Sequence, residues 1–322
     1  MTIGRWQHTA STLANGSVLV AGGEGSAGNL NRVDLYNPST GTWTRTGNMS
    51  IAREYHTAST LANGPVLVAG GYNGTSFLNS AELYDPTIGT WTTTGGMNVA
   101  RKYHTSTTLP NGNVLVAGGL GINGSLNSAE LYHSLTGNWT ATGSLIVARY
   151  SHTASTLTNG LVLVAGGCNG GFCYSAELYN SSTGTWTSTG NMSTARYLHT
   201  ASILANGAVL VAGGWGSSGH LNRTDLYNPS TGTWTTTGSM SIARGCHTAS
   251  TLANGSVSVA GGCNGDPCNS AELYNPSTGT WTITGGMNVA RKYHTASTLA
   301  NGKVLVAGGY NSSAALNSAE LY

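Results

Sequence analysis

Residues 53–101 read REYHTASTLANGPVLVAGGYNGTSFLNSAELYDPTIGTWTTTGGMNVAR, and this stretch decides the fold. His56 to Leu61 (HTASTL) reads as a short strand. Asn63-Gly64 is a tight hairpin signal, because both residues tolerate the positive φ of a type I′ turn. Val66 to Ala69 (VLVA) is a second, wholly apolar strand that ends at Gly70-Gly71. A loop of about ten residues, YNGTSFLNSA, leads into Glu82-Leu83-Tyr84. Asp85-Pro86-Thr87-Ile88-Gly89 is a turn, with Pro presetting φ and Gly ending it. Thr90 to Thr94 forms a fourth strand, and 95–102 returns the chain to the next histidine.

Working outward, the same unit fills the chain. The motif Arg-x-x-His-Thr-(Ala/Ser) places histidines at His8, His56, His104, His152, His199, His247 and His294, in steps of 48, 48, 48, 47, 48 and 47 residues. A unit this small cannot close a core alone, so neighbours must bury one another's faces, and 1–322 is expected to be one domain of seven repeats. Four short antiparallel strands per repeat describe a propeller blade. No stretch has the 3.6-residue apolar period of an α-solenoid. A parallel β-helix has shorter coils and lacks the Asn-Gly hairpins. The fold class is therefore all-β, a seven-bladed β-propeller of four-stranded antiparallel blades.

The Gly-Gly doublet, the Glu-Leu-Tyr that follows it and the Trp after the next turn together resemble the Kelch repeat, and the resemblance runs from Met1 to Tyr322. The doublets are Gly22-Gly23, Gly70-Gly71, Gly118-Gly119, Gly166-Gly167, Gly213-Gly214, Gly261-Gly262 and Gly308-Gly309. The tryptophan strand occurs only six times, at Trp43, Trp91, Trp139, Trp186, Trp234 and Trp281. In the family that strand is outermost. The last blade should then have three strands and an open edge, with ring closure resting on face packing between blades 7 and 1.

Composition narrows the function. Charged residues are 7% of the chain, against about 25% in ordinary domains. A net charge of +2, with lysines only at 102, 292 and 303, excludes the clustered basic face of a nucleic-acid binder. No apolar run approaches the roughly 20 residues of a membrane helix, so no membrane insertion is expected. The chain opens inside a repeat without a signal peptide, which fits either a cytosolic protein or one whose leader has been removed.

Seven arginines precede the histidines by three positions (Arg5, Arg53, Arg101, Arg149, Arg196, Arg244, Arg291). Seven acids precede Leu-Tyr (Asp34, Glu82, Glu130, Glu177, Asp225, Glu272, Glu320). These make up more than half of the charged residues. Their equal numbers predict structural pairs, Arg53–Glu82, Arg101–Glu130 and Arg149–Glu177 among them, with each Arg forking onto a carboxylate. The histidines are expected to be hydrogen-bonded strand residues, too widely spread round a ring to share one metal ion, so no metal or cofactor is expected. Cys168 with Cys173, and Cys263 with Cys268, occupy the same loop at the same spacing and suggest a clamping disulfide in each. With ten Asn-x-Ser/Thr sequons these tilt the setting toward extracellular over cytoplasmic.

The copies differ in two places: the loop after Gly-Gly, and the two residues after the repeat Arg. Antiparallel order puts both on one face. Variable loops on a rigid scaffold are the usual place for recognition. Their aromatics, Trp6, Tyr55, Tyr72, Phe77, Tyr103, Phe172, Tyr197, Trp215, Tyr293 and Tyr310, are the candidate binding residues. The expected function is a monomeric, non-catalytic scaffold for a protein, peptide or glycan. Two alternatives stand beside it. One is an enzyme, galactose-oxidase-like or otherwise carbohydrate-active. The Kelch fold resembles the catalytic domain of galactose-oxidase-like copper enzymes, which need two histidines, two tyrosines and a thioether cysteine, with Cys173-Tyr174 and Cys246-His247 as the candidates, while isolated acids such as Asp266 and Glu24 do not form a pair for glycoside hydrolysis. The other is a structural module without a dedicated ligand.

Overall fold

A computed structural model describes the backbone of residues 1–322 and every side chain except that of Cys263. Among the described residues there are no helices, and so none long and apolar enough to cross a membrane. Seven antiparallel blades form a closed ring. Blade 2 is typical: Thr57–Thr60, Val66–Ala69, Ala81–Asp85 and Thr90–Thr93 lie in sequence order, with Thr60 opposite Val66 and Tyr84 opposite both Val66 and Trp91. Blade 7 has three strands, Thr295–Thr298, Val304–Ala307 and Ala319–Leu321. The first strands are innermost, and each touches its counterpart in both neighbouring blades, Thr9–Thr12 meeting Thr295–Thr298.

The VLVA strand is apolar on both faces because it is sandwiched between blades. Val66 and Val68 pack backward on Leu19 and Met49, whereas Leu67 and Ala69 pack forward on Val114 and Val116 of blade 3. The core is thus a series of interblade layers, and burying one Leu or Val there contributes about 1.5–3 kcal/mol.

The glycine doublet has a specific cause. Gly70 lies at φ 65°, and a Cβ there would sit 2.7 Å from both the Arg101 carbonyl oxygen and His104 Cε1. The next blade docks against bare backbone, and Gly71 N–H donates to the Arg101 carbonyl at 2.8 Å.

Each repeat Arg is fully buried and reaches its acid: Arg53–Glu82 2.8 Å, Arg101–Glu130 2.8 Å and Arg149–Glu177 2.7 Å. The fork differs from the bidentate pairing expected. Only Nη2 of Arg101 meets the carboxylate, while Nη1 donates to the Gly118 and Ser128 carbonyls at 2.7 and 2.9 Å. The Glu130 carboxylate is also held by the Asn98 and Val99 N–H groups at 2.6 and 3.1 Å, donors that compete with a second guanidinium contact.

Each histidine Nε2 is bonded to a threonine hydroxyl of the preceding blade, as in His104 to Thr57 at 3.0 Å. The series closes with His8 to Thr295 at 3.0 Å. Closure is therefore not left to face packing. Arg5 N–H donates to the Leu316 carbonyl at 3.1 Å and Gly309 N–H to the Arg5 carbonyl at 2.8 Å, matching the internal junctions.

Candidate functional site

The residue before each histidine lies in the left-handed region: Gln7, Tyr55, Tyr103, Ser151, Leu198, Cys246 and Tyr293 all have φ between 53° and 57°. This conformation turns each N–H and C=O along the ring. Tyr55 N–H donates to Gln7 O at 3.4 Å, Tyr103 to Tyr55 at 3.3 Å, Ser151 to Tyr103 at 2.9 Å and Leu198 to Ser151 at 3.2 Å. Cys246 then donates to Leu198 at 3.3 Å, Tyr293 to Cys246 at 3.1 Å, and Gln7 to Tyr293 at 3.1 Å. Seven peptide groups thus make a continuous hydrogen-bonded hoop at one end of the central channel.

The residue one position earlier pairs with the loop after Gly-Gly, as in Trp6 with Glu24, Glu54 with Tyr72, Tyr197 with Trp215 and Lys292 with Tyr310. The two variable segments are therefore joined by backbone bonds on one face. In blades 1, 3, 5 and 6 that loop makes its own two-stranded hairpin, which its irregular composition did not announce; Trp215–Gly216 with Gly219–His220 is one.

The candidate aromatics gather in three groups. Trp6 packs on Tyr293 and Tyr310 at centroid distances of 5.4 and 5.5 Å. Tyr55 packs on Tyr103 at 4.1 Å, and Tyr72 on Phe77 at 5.7 Å. Phe172 meets Tyr197 at 5.7 Å, and Tyr197 lies nearly parallel to Trp215, at 21° and 6.3 Å. Trp215 and Phe172 are more than one-third exposed.

Charged side chains stand among these rings. Lys102 Nζ lies over four rings, 4.4 Å from the centroid of Tyr72 and 5.2–5.3 Å from those of Phe77, Tyr55 and Tyr103, a cation–π arrangement. Glu54 is buried against Glu24 of the neighbouring loop. Burial pushes its carboxyl up to about 7; the Asn29 amide and Lys102 oppose the rise, and Glu24 adds to it. The signal available was that Glu54 and Lys102 fill a slot holding five residue types in seven copies. Two open cavities of about 580 and 630 Å³ flank these groups, one lined by Tyr72, Phe77, Lys102 and Ile122, the other by Trp6, Gln7, Glu24, Tyr55, Tyr293 and Tyr310.

The cysteine clamp expected in blade 4 is not formed; Cys168 and Cys173 are separate thiols. Cys168 pairs across the loop with Phe172, so Cys173, the next residue, turns to the opposite side and is buried. In blade 6 the partner Cys263 lies outside the described side chains. Cys268 Sγ instead donates to the Gly261 carbonyl at 3.3 Å and accepts from Arg244 Nη1 at 3.7 Å.

A fungal alcohol oxidase of the AA5 family, solved in complex with copper, has the same fold: TM-score 0.78, 21% identity, 96% of this chain and 73% of that one. The likeness is one of fold. The seven repeat histidines are buried with Nε2 committed to threonine, Tyr174 is half exposed beside a buried Cys173, and no three His, Cys, Asp or Glu among the described residues converge. The residues present do not fit a copper centre of that kind. No curated protein sequence matches the chain. The Kelch motif matches residues 5–50 and 55–98, and the KLHDC2/KLHL20/DRC7 Kelch-repeats domain matches 104–309. With nearly two-thirds of its length under that one model, the chain belongs to the Kelch-repeat propellers described by the KLHDC2/KLHL20/DRC7 Kelch-repeats domain.

Proposed function

We propose that this propeller is a binding scaffold for a protein or peptide segment, held across the hoop of seven left-handed residues. One observation carries the reading. The chain has 47 glycines, yet none of the seven hoop positions is glycine, although glycine alone adopts that conformation without strain. A side chain is retained at each, at a cost of about 1 kcal/mol or more. Residues as different as Gln7, Tyr103, Ser151 and Leu198 serve the hoop equally through their backbones. Side chains kept at a cost and free to vary are what a recognition surface requires. The Kelch fold, in a family of protein-binding propellers, is in keeping with this.

A second reading rests on Tyr197 and Trp215. Their nearly parallel rings give one flat apolar platform, suited to the face of a sugar. A random-peptide library and a glycan array, both probed with the intact chain, separate the two. Ligands from the library should lose at least about tenfold in affinity with Trp6→Ala or Trp215→Ala while the melting temperature holds. Ligands indifferent to both substitutions, or competing instead for the Asn-Gly hairpins at the opposite end, would overturn the proposal.

A further inference from the structure

Resting on that reading, we infer that the mouth carries a subsite for a primary ammonium group on the ligand, formed by Glu24, Glu54 and Gln7 and walled by Trp6, Tyr293 and Tyr310.

The acids here are not those of the scaffold. Of eleven acidic residues, seven are the repeat acids paired with arginine. Glu24 and Glu54 are each the sole acid at their repeat position. The equivalents of Glu54 are Trp6, Lys102, Tyr150, Tyr197, Gly245 and Lys292. Those of Glu24 are Tyr72, Leu120, Cys168, Trp215, Cys263 and Tyr310. Two acids that occur once in seven copies meet at one point, from neighbouring blades.

Beyond the Asn29 amide that reaches Glu54, acceptors outnumber donors here. Among the described residues, the two buried side-chain oxygens without a hydrogen-bond partner are Glu54 Oε2 and Gln7 Oε1. Glu54 is 6% exposed, so solvent does not meet its need. Gln7 and Glu24 line the same cavity of about 630 Å³. Lys102, the cation that acts on Glu54, is held over the rings of Tyr55, Tyr72, Phe77 and Tyr103, and no ion pair to Glu24 or Glu54 forms among the described residues. Lys292 lines the same cavity.

The chemistry selects the occupant. Two buried acceptor atoms left unpaired call for a group that only donates; an ammonium offers three N–H donors and no acceptor. Its charge offsets the repulsion between two adjacent carboxyls, and aromatic faces attract it further. A carboxylate or phosphate ligand would be repelled from the same place.

The test uses the intact chain, tryptophan fluorescence, and two probes. N-acetyl-lysine methylamide offers a side-chain amine alone, and alanyl-alanine methylamide an α-amine alone. Saturable binding of at least one is expected near about pH 7.5; which one binds tells whether the ligand presents a lysine or a chain terminus. Binding should weaken at least about tenfold near about pH 5.5, where the buried carboxyl is protonated, measured at a temperature at which melting shows the chain still folded, and at least about tenfold in Glu54→Gln near about pH 7.5. Glu24→Gln, at a half-buried loop position, gives the same readout if Glu54→Gln fails to fold. Ile283→Ala, on an exposed outer strand, should leave binding unchanged. Absence of saturable binding by either probe, or undiminished binding in both carboxyl variants, overturns the subsite. If library ligands without an amine bind through Trp6 and ignore Glu54→Gln, the subsite falls and the scaffold reading stands. If no ligand depends on the mouth, both fall.

Discussion

Acidification should unfold this protein steeply, because all seven repeat histidines are buried in the neutral form. Burial, then the adjacent repeat arginine, lowers each of them, to about 3 for His104, His199 and His294, from 6.5 when unfolded. His8, His56, His152 and His247 are displaced in the same direction for the same reasons. Since the folded values are depressed, the unfolded chain binds more protons, and stability present above the unfolded value is lost as the pH falls toward the folded one. Between about pH 7.5 and 5.5, one such histidine removes about 1.4 kcal/mol, and seven remove about 10 kcal/mol. That is comparable to the whole stability of an ordinary domain, about 5–15 kcal/mol. With an unfolding entropy of about 2.1 cal/mol/K per residue, the melting temperature should drop by about 15 °C. Calorimetric melting across this range measures the drop, and proton uptake on denaturant unfolding at about pH 5.5 should reach about six per chain. Uptake below about two protons, or ring signals in an NMR titration showing charged imidazoles in the folded chain, would refute the reasoning.

Three further outcomes follow from the scaffold. Arg101→Met strands Glu130 in the interior and should cost about 3–5 kcal/mol in denaturant unfolding, whereas a loss below about 1 kcal/mol would mean that the pair is not buried in solution. Thr295→Val removes the hydroxyl partner of His8 at ring closure and should cost about 1–2 kcal/mol, within experimental error of Thr57→Val at an internal junction. A much larger loss for Thr295→Val would show that closure differs from the other junctions. At the hoop, Leu198→Gly should relieve about 1 kcal/mol of backbone strain while Leu198→Val, β-branched, should destabilise; the reverse order in thermal melts would remove the left-handed assignment.

Much of the scaffold was legible because each repeat writes its rules seven times. The alternation of HTAST, the apolar VLVA between two turn signals and the constant Asn-Gly fix four strands per unit, and a strand apolar on both faces already implies blades on both sides. The matched numbers of Arg and acid gave the partners. They could not give the fork geometry, which depends on the Gly118 and Ser128 carbonyls and the Asn98 N–H arriving from elsewhere in the fold. The variable face could be located by comparing copies. Its chemistry could not: nothing local in Gln7, Leu198 or Tyr293 marks a left-handed residue, because the hoop imposes that conformation against their own preference. Glu24 and Glu54 lie 30 residues apart, and only the curvature of the ring brings them together. The cysteine spacing misled because equal spacing says nothing about which side of a two-residue bridge each sulfur takes.

Scaffold and mouth respond to protons in ways that converge on one working range. The histidines keep their contribution only while neutral, so the ring is firm above about pH 6.5 and weakens below it. Glu54 moves in the opposite sense as regards stability. Its folded value of about 7 is raised, so its buried carboxyl favours folding at low pH and disfavours it as the pH rises. One group of that sign cannot offset seven of the other. Glu54 nonetheless becomes an anion in the same interval in which the ring reaches full stability. An electronegative mouth and a firm ring therefore coexist only near neutrality and above. Glu54→Gln should accordingly raise stability in alkaline buffer and have little effect in acid, while abolishing the charge that the mouth presents; the gain in stability would identify Glu54 as a residue kept for something other than the fold.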